Sequence, residues 1–209
     1  IKLMKSALII GSSKGIGKSI KKRLGQLKIK IIAPPRRELD TSNLESVKKF
    51  LKSINSIDYL ILNTGGPPAK DFFSISENEW NKYYVQLFLS FVIILQRVKL
   101  KKNGFIFLIS SHTIKSPEDN LVLSNSYRVA ISSILKTVSK IYGKKNVTCI
   151  NIAPGPIKTE RLKKLVNNMK AFEKKLPLGR AGSPDEIALF IQSIIKSNIK
   201  YLNGVIINF

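Results

Sequence analysis

The most constraining stretch of the chain is Gly11-Ser12-Ser13-Lys14-Gly15-Ile16-Gly17. It joins the apolar run Ala7-Leu8-Ile9-Ile10 to a helical pattern, Ile16-Gly17-Lys18-Ser19-Ile20-Lys21-Lys22-Arg23-Leu24. Strand, tight glycine turn and helix in that order form the phosphate-binding entry to a doubly wound α/β domain. Gly11 lets the chain leave the strand in a conformation closed to side chains, and Gly15 and Gly17 let backbone approach a pyrophosphate and the sheet. The free N–H groups of the helix then face the anion. The spacing is G-x-x-x-G-x-G, not the G-x-G-x-x-G of the general dinucleotide fingerprint, so the turn alone also reads as a plain strand-to-helix connection.

The rest of the chain keeps the alternation. Strands are predicted at 6–10, 29–33, 59–62, 105–109, 147–152 and 205–208. Between them fall helices at 16–27, 44–54, about 77–98, 124–141, 159–174 and 184–196. Leu44, Val47, Phe50, Leu51 and Ile54 stand at helical spacing behind the capping side chains Asp40-Thr41-Ser42. Segment 77–98 is apolar nearly all round in its second half and is expected to be buried on more than one side. Segment 159–174 reads as one polar helix, and Ser183-Pro184-Asp185-Glu186 is a capping box with proline at the first helical position. Asn63-Thr64-Gly65-Gly66-Pro67-Pro68 and Ala153-Pro154-Gly155-Pro156 are forced breaks. No repeat or linker interrupts residues 1–209, which read as a single domain. Short apolar strands alternating with helices predict a doubly wound parallel sheet covered on both faces, a Rossmann-type three-layer α/β/α fold.

Composition narrows the setting. The longest apolar stretch, from Leu87 to Leu95, is interrupted by Ser90 and falls far short of the about 20 residues of a membrane span. Ile1-Lys2-Leu3-Met4-Lys5 is too short ahead of the first strand to be a signal peptide. The single cysteine, Cys149, lies in an apolar strand pattern and fits a reducing, cytoplasmic setting. The formal charge of +23 raises nucleic acid as a partner. Against this, the lysines are scattered in pairs such as Lys48-Lys49, Lys101-Lys102 and Lys174-Lys175, with no interleaved aromatics to stack bases. A solvated basic surface is the preferred reading.

Taken in order, the landmarks resemble those of the short-chain dehydrogenase/reductase family over nearly the whole chain. They are the glycine turn, Leu62-Asn63-Thr64-Gly65-Gly66, Ile109-Ser110-Ser111 at a strand end, and Asn151-Ile152-Ala153-Pro154-Gly155-Pro156-Ile157-Lys158-Thr159. Pro177-Leu178-Gly179-Arg180 and Asn203-Gly204 also match. The resemblance implies a nicotinamide cofactor and hydride transfer to or from a small carbonyl or alcohol. It places Pro154, Gly155, Ile157 and Thr159 at the nicotinamide end, and Asn63 and Gly65 at the carboxyl end of the central strand. After the second strand, where an acidic residue holds the ribose of NAD, this chain has Pro34-Pro35-Arg36-Arg37. Two guanidinium groups there suit a 2′-phosphate, so NADP(H) is preferred to NAD(H), although the pair also reads as an exposed basic turn. Asp40 resembles the adenine-contacting aspartate of the family or serves only as a cap.

The chemical end departs from the family pattern. The family has a serine, a tyrosine thirteen residues on, and a lysine four beyond that. Here Ser111 matches, but Ser124 and Arg128 stand for the tyrosine and the lysine, and Leu87 stands for the helix asparagine. The stretch Leu121-Val122-Leu123-Ser124-Asn125-Ser126-Tyr127-Arg128 resembles a divergent subgroup similar to 3-oxoacyl-carrier-protein reductases. A serine hydroxyl donates a proton far less readily than a tyrosine whose pKa of about 10 is lowered by a cation. Tyr127 is the candidate substitute acid, or a ring packed on a half-buried helix. His112, the only histidine, has a strand-end position that suits a site role or a structural one. The expected protein is an NADP(H)-preferring oxidoreductase, a homodimer or homotetramer. The alternative is a catalytically weak NADP(H)-binding sensor or scaffold. No metal site is predicted.

Overall fold

The computed structural model describes residues 4–209, so residues 1–3 of the segment considered as a leader lie outside the described residues. Chain order is β1 (Ser6–Ile9), α1 (Gly15–Gly25), β2 (Lys30–Ile32), α2 (Leu44–Leu51), β3 (Ile57–Leu62) and α3 (Glu77–Tyr84). It continues through α4 (Ser90–Arg97), β4 (Leu100–Ile109), α5 (Val122–Gly143), β5 (Thr148–Ala153), α6 (Glu160–Leu165), α7 (Met169–Glu173), α8 (Pro184–Ser197) and β6 (Val205–Asn208). The six strands form one parallel sheet in the order β2-β1-β3-β4-β5-β6.

Side-chain alternation sends residues of each strand to opposite faces. Leu8, Leu60, Leu62, Ile106, Leu108 and Cys149 join a core under α2, α4 and α5. Ala7, Ile9, Tyr59, Ile61, Phe107 and Ile150 join a second core under α1 and α8. Because both faces are covered, the strands read as continuous apolar runs. The Arg23 guanidinium pairs with Asp185, and Gln192 Nε2 donates to the Arg23 carbonyl at 2.7 Å, fixing α8 across α1.

Several boundaries differ from the sequence expectation, each for a local reason. Asn43, not Asp40-Thr41-Ser42, caps α2: its Oδ1 accepts from the N–H groups of Glu45 and Ser46 at 3.0 and 3.2 Å. Segment 77–98 stays helical but passes through a π turn at Val85–Leu89, with Ser90 Oγ donating to the Gln86 carbonyl. In this turn Leu87 is buried in the core while the neighbouring Gln86 reaches the loop after β3. Phe91, Ile94 and Leu95 are buried and Phe88, Val92 and Ile93 pack at the margin, so this helix is covered on more than one side. The single helix expected at 159–174 is two short ones. Thr159 caps α6, Val166 adopts extended backbone, and Asn168 Oδ1 restarts the chain by accepting from the Ala171 N–H at 3.0 Å. β4 begins at Leu100, its register shifting opposite Ile57 and Tyr59, so Asn103-Gly104 lies within the strand.

Candidate active site

The chain leaves β1 and returns as β2 on one side, then as β3 on the other, which makes the carboxyl ends of β1 and β3 the switch point where ligands bind in open α/β sheets. Two chambers meet there. One, of about 520 Å³, runs from Pro34, Arg36 and Asp40 past Gly11, Ser13, Lys14 and Gly15 to Gly65 and Gln86. The other, of about 400 Å³, is lined by Ser111, His112, Ser124 and Arg128 on one side and Pro154, Gly155 and Ile157 on the other. Ile16, Asn63, Thr64, Thr159 and Arg161 line both, so the chambers adjoin along a shared wall of the cleft.

The glycine turn is built for close backbone approach. Gly11 has φ +66°, and a Cβ there would overlap the Asn63 carbonyl. A Cβ on Gly17 would overlap the Gly11 carbonyl, while Asn63 Nδ2 donates to that same oxygen at 2.9 Å. At the mouth, the start of α1 carries no side-chain cap and no acidic residue in its first turn. Its free N–H groups therefore remain available to an anion. Ser12 is buried beneath the turn, and neither it nor Gly17 lines the cleft.

At the far end of this chamber Arg36 is largely exposed and its Nε donates to Asp40 at 3.0 Å. Arg37 is exposed and does not line the cleft. Asp40 Oδ1 also accepts from the N–H and hydroxyl of Ser42. Burial alone would raise the Asp40 carboxyl, but the bonds from Ser42 and Arg36 outweigh it and hold the group below its ordinary value. Its acceptors are thus largely spent on its own turn.

In the smaller chamber Ser111 Oγ accepts from the N–H and hydroxyl of Thr113 at 3.3 and 3.1 Å, which leaves its own hydrogen to donate. Ser124 lies inside α5, so Arg128 is its i+4 neighbour on the same face. Arg128 Nε donates to Ser124 Oγ at 3.2 Å, and Nη1 donates to the carbonyls of Ile109 and Ser110 at 3.0 and 3.1 Å. Burial, and then the charge of Arg161, push the Arg128 guanidinium down to about 10, which keeps it protonated at neutral pH. His112 lines this chamber with Nε2 at 2.8 Å from Glu118 and Nδ1 at 3.3 Å from the Pro154 carbonyl.

The structure does not bring Tyr127 to the cleft. Its hydroxyl donates to the Trp80 carbonyl at 3.0 Å, and its ring packs against Trp80 and Tyr84. Sequence reasoning also missed Gln86, whose Nε2 donates to the Gly65 carbonyl at 2.8 Å, and Arg161, whose Nη1 donates to the Pro67 carbonyl at 2.7 Å. An amide inside the apolar run from Val85 to Leu95 was a usable signal for Gln86. Arg161, six residues past Gly155 of the Pro-Gly break, carried none beyond its position. Among the described residues, no group of His, Cys, Asp and Glu is arranged to hold a metal ion.

A family model described as enoyl-(acyl carrier protein) reductase matches residues 13–209. The chain belongs to the short-chain dehydrogenase/reductase family. The 3-oxoacyl-[acyl-carrier-protein] reductase FabG of Vibrio cholerae is 25% identical over 229 residues, covering 96% of this chain and 93% of that protein. The FabG of Chlamydia pneumoniae is 27% identical over 161 residues, which are 73% of this chain and 65% of that one, just under two thirds. Among solved structures, a small-chain dehydrogenase in complex with NADPH superposes with a TM-score of 0.88 at 23% identity, covering 99% of this chain and 97% of the other. That likeness supports the fold. This member of the short-chain family departs from the usual pattern at Leu87, Ser124 and Arg128.

Proposed function

We propose that this short-chain family member is an NADP(H)-preferring oxidoreductase acting on a small carbonyl or alcohol, with Ser111, Ser124 and Arg128 as its chemical set. The carrying observation is the cleft, in which the glycine cradle adjoins a chamber lined by Ser111, Ser124 and the buried Arg128 guanidinium. A dinucleotide fits the residues present: a pyrophosphate on the Gly11–Gly15 turn and the start of α1, the adenosine end near Arg36 and Asp40, and the nicotinamide end near Ile157 and Thr159. When bound, the reduced nicotinamide supplies a hydride. Ser111 and Ser124 each donate a hydrogen bond to the substrate oxygen, Ser124 while its own oxygen accepts from Arg128, and solvent water supplies the one proton that completes the alcohol. The charge of the buried Arg128 stabilises the negative charge that develops there.

The relatives include several FabG reductases and a probable 2,4-dienoyl-CoA reductase, and a solved neighbour holds NADPH, which supports the cofactor class. Residues 1–209 act as one domain in this proposal. Exposed apolar side chains on α3 and α5 (Tyr84, Val129) and on α8 and β6 (Leu189, Ile206) support a homodimer or homotetramer. The buried, unpaired Cys149 supports a reducing, cytoplasmic setting.

Calorimetric titration should give NADPH about tenfold or more tighter binding than NADH, with the difference lost in Arg36→Ala, as charge-assisted phosphate contacts require. With a ketone panel, Ser124→Ala should lower kcat by about 10–100-fold without weakening NADPH. Equal affinities for the two cofactors refute the preference. Intact NADPH binding with no turnover on any ketone favours the second reading, a sensor or scaffold. The specific observation behind that reading is the commitment of Arg128 to two backbone carbonyls, which ties the group to the β4 end.

A further inference from the structure

The smaller chamber holds more positive charge than its own residues balance. Arg161 reaches across from α6 until its guanidinium lies against Gly66, where an added Cβ would come within 2.6 Å of Cζ and 2.7 Å of Nη2. The Pro67 carbonyl fixes Nη1, and this is the group's only hydrogen bond among the described residues. Neither Arg161 nor Arg128 takes part in an ion pair among the described residues. The carboxylate in this chamber, Glu118, is already paired with His112 at 2.8 Å. The two guanidinium groups are close enough that the charge of Arg161 disfavours that of Arg128, and burial disfavours both. An uncompensated, partly desolvated charge is costly to leave unpaired, so a chamber of this kind gains most from a ligand that carries the counter-charge. The wall beside Arg161, with Leu162, Leu165, Val166 and Phe172, is apolar and suits a short hydrocarbon body.

We propose that the substrate of this cleft is a small oxo acid or hydroxy acid whose carboxylate is received by Arg161, while its carbonyl or hydroxyl group faces Ser111 and Ser124. The proposal rests on the oxidoreductase reading and adds the substrate class. Arg161 is then the residue that selects acids over neutral ketones. Its planar fork and its remaining N–H donors match a carboxylate. Because Arg161 lines both chambers, a phosphate of the dinucleotide is the other source of an anion, and the experiment separates the two.

The probes are 4-oxopentanoate and its methyl ester, titrated calorimetrically into the NADP⁺-loaded protein, with NADPH affinity measured separately on the free protein. The acid should bind about tenfold or more tightly than the ester in the wild type. Arg161→Gln should abolish that ratio and leave NADPH affinity unchanged, and Arg161→Lys should retain part of it. Equal binding of acid and ester, or no measurable binding of the acid, overturns the proposal. So does an Arg161→Gln protein that loses NADPH affinity but keeps the acid preference, since Arg161 then serves the cofactor phosphate. If Arg161→Gln fails to fold, the wild-type acid-to-ester ratio and the Lys variant still decide. Failure to bind NADPH at all overturns the oxidoreductase reading and is read on its own titration.

Discussion

At the scale of single residues, the two positions of α5 that depart from the family pattern are joined to one another. Ser124 and Arg128 replace a tyrosine and a lysine, and they are linked through Nε and Oγ at 3.2 Å. A serine hydroxyl against a permanent cation stabilises a developing oxyanion better than it transfers a proton. Tyr127 is poorly suited to fill the gap. Burial, and then the neighbouring Tyr84, push its phenol above the ordinary value of 10, the wrong direction for an acid. Its hydroxyl is also occupied at the Trp80 carbonyl. Tyr127→Phe should leave ketone turnover and NADPH affinity unchanged while costing about 0.5–1.5 kcal/mol of stability, the contribution of one ordinary hydrogen bond. Steady-state kinetics beside chemical denaturation would check this, and a collapse of kcat with folding intact would return Tyr127 to the mechanism.

Among the elements, α8 shows how far local sequence can specify a helix. Ser183 Oγ accepts from the Glu186 N–H at 3.2 Å, and the Glu186 carboxylate accepts from the Ser183 N–H and from Arg180. The bonds from Arg180, and then from the Ser183 backbone, draw the Glu186 carboxyl from its ordinary 4.5 down to about 2. A carboxylate depressed in the folded state contributes stability that is fully present above 4.5 and is lost as pH falls toward 2. Glu79 in the capping box of α3 behaves alike, held at about 2 by Lys70 and then by Ser76. Glu186→Gln should therefore lower the melting temperature at neutral pH and flatten its fall between pH 4.5 and 2, as circular dichroism melts would record. An acid limb as steep as that of the wild type would remove Glu186 as a source of it. By contrast, the break between α6 and α7 was hidden in sequence. Leu162, Leu165, Val166 and Phe172 look like scattered apolar residues in a polar helix until the chain folds them around the cleft.

For the whole molecule, the charge of +23 is a cost shared by every basic surface group. Self-repulsion opposes the compact state and is relieved by unfolding. Surface charges more than about 10 Å apart are largely screened at 0.1 M salt. The melting temperature should therefore rise on adding sodium chloride over roughly 0.05–0.5 M, a range that spans this screening length. A flat or falling profile would mean that local ion pairs such as Arg23 with Asp185 outweigh the global term. Light scattering across the same range would report the association state, because the same repulsion opposes assembly of like subunits.

The amino-acid sequence alone determined the layered sheet, because short, continuously apolar strands between amphipathic helices can be buried only with a layer on each face. It also determined the glycine turn after β1, since the residue types at Gly11, Gly15 and Gly17 carry their backbone requirement with them. The landmark order made Ser111, Asn63 and the Pro154–Gly155 break legible, and the departures at Ser124 and Arg128 with them. Tertiary structure decided which side chains meet. Tyr127 was assigned to Trp80 across 47 residues, and Arg161 to Pro67 across 94. Periodicity states which face of a helix is buried, but it does not name the neighbour that the face will meet. That choice is made when helices pack onto the sheet, and here it moved a phenol out of the cleft and brought a guanidinium into it.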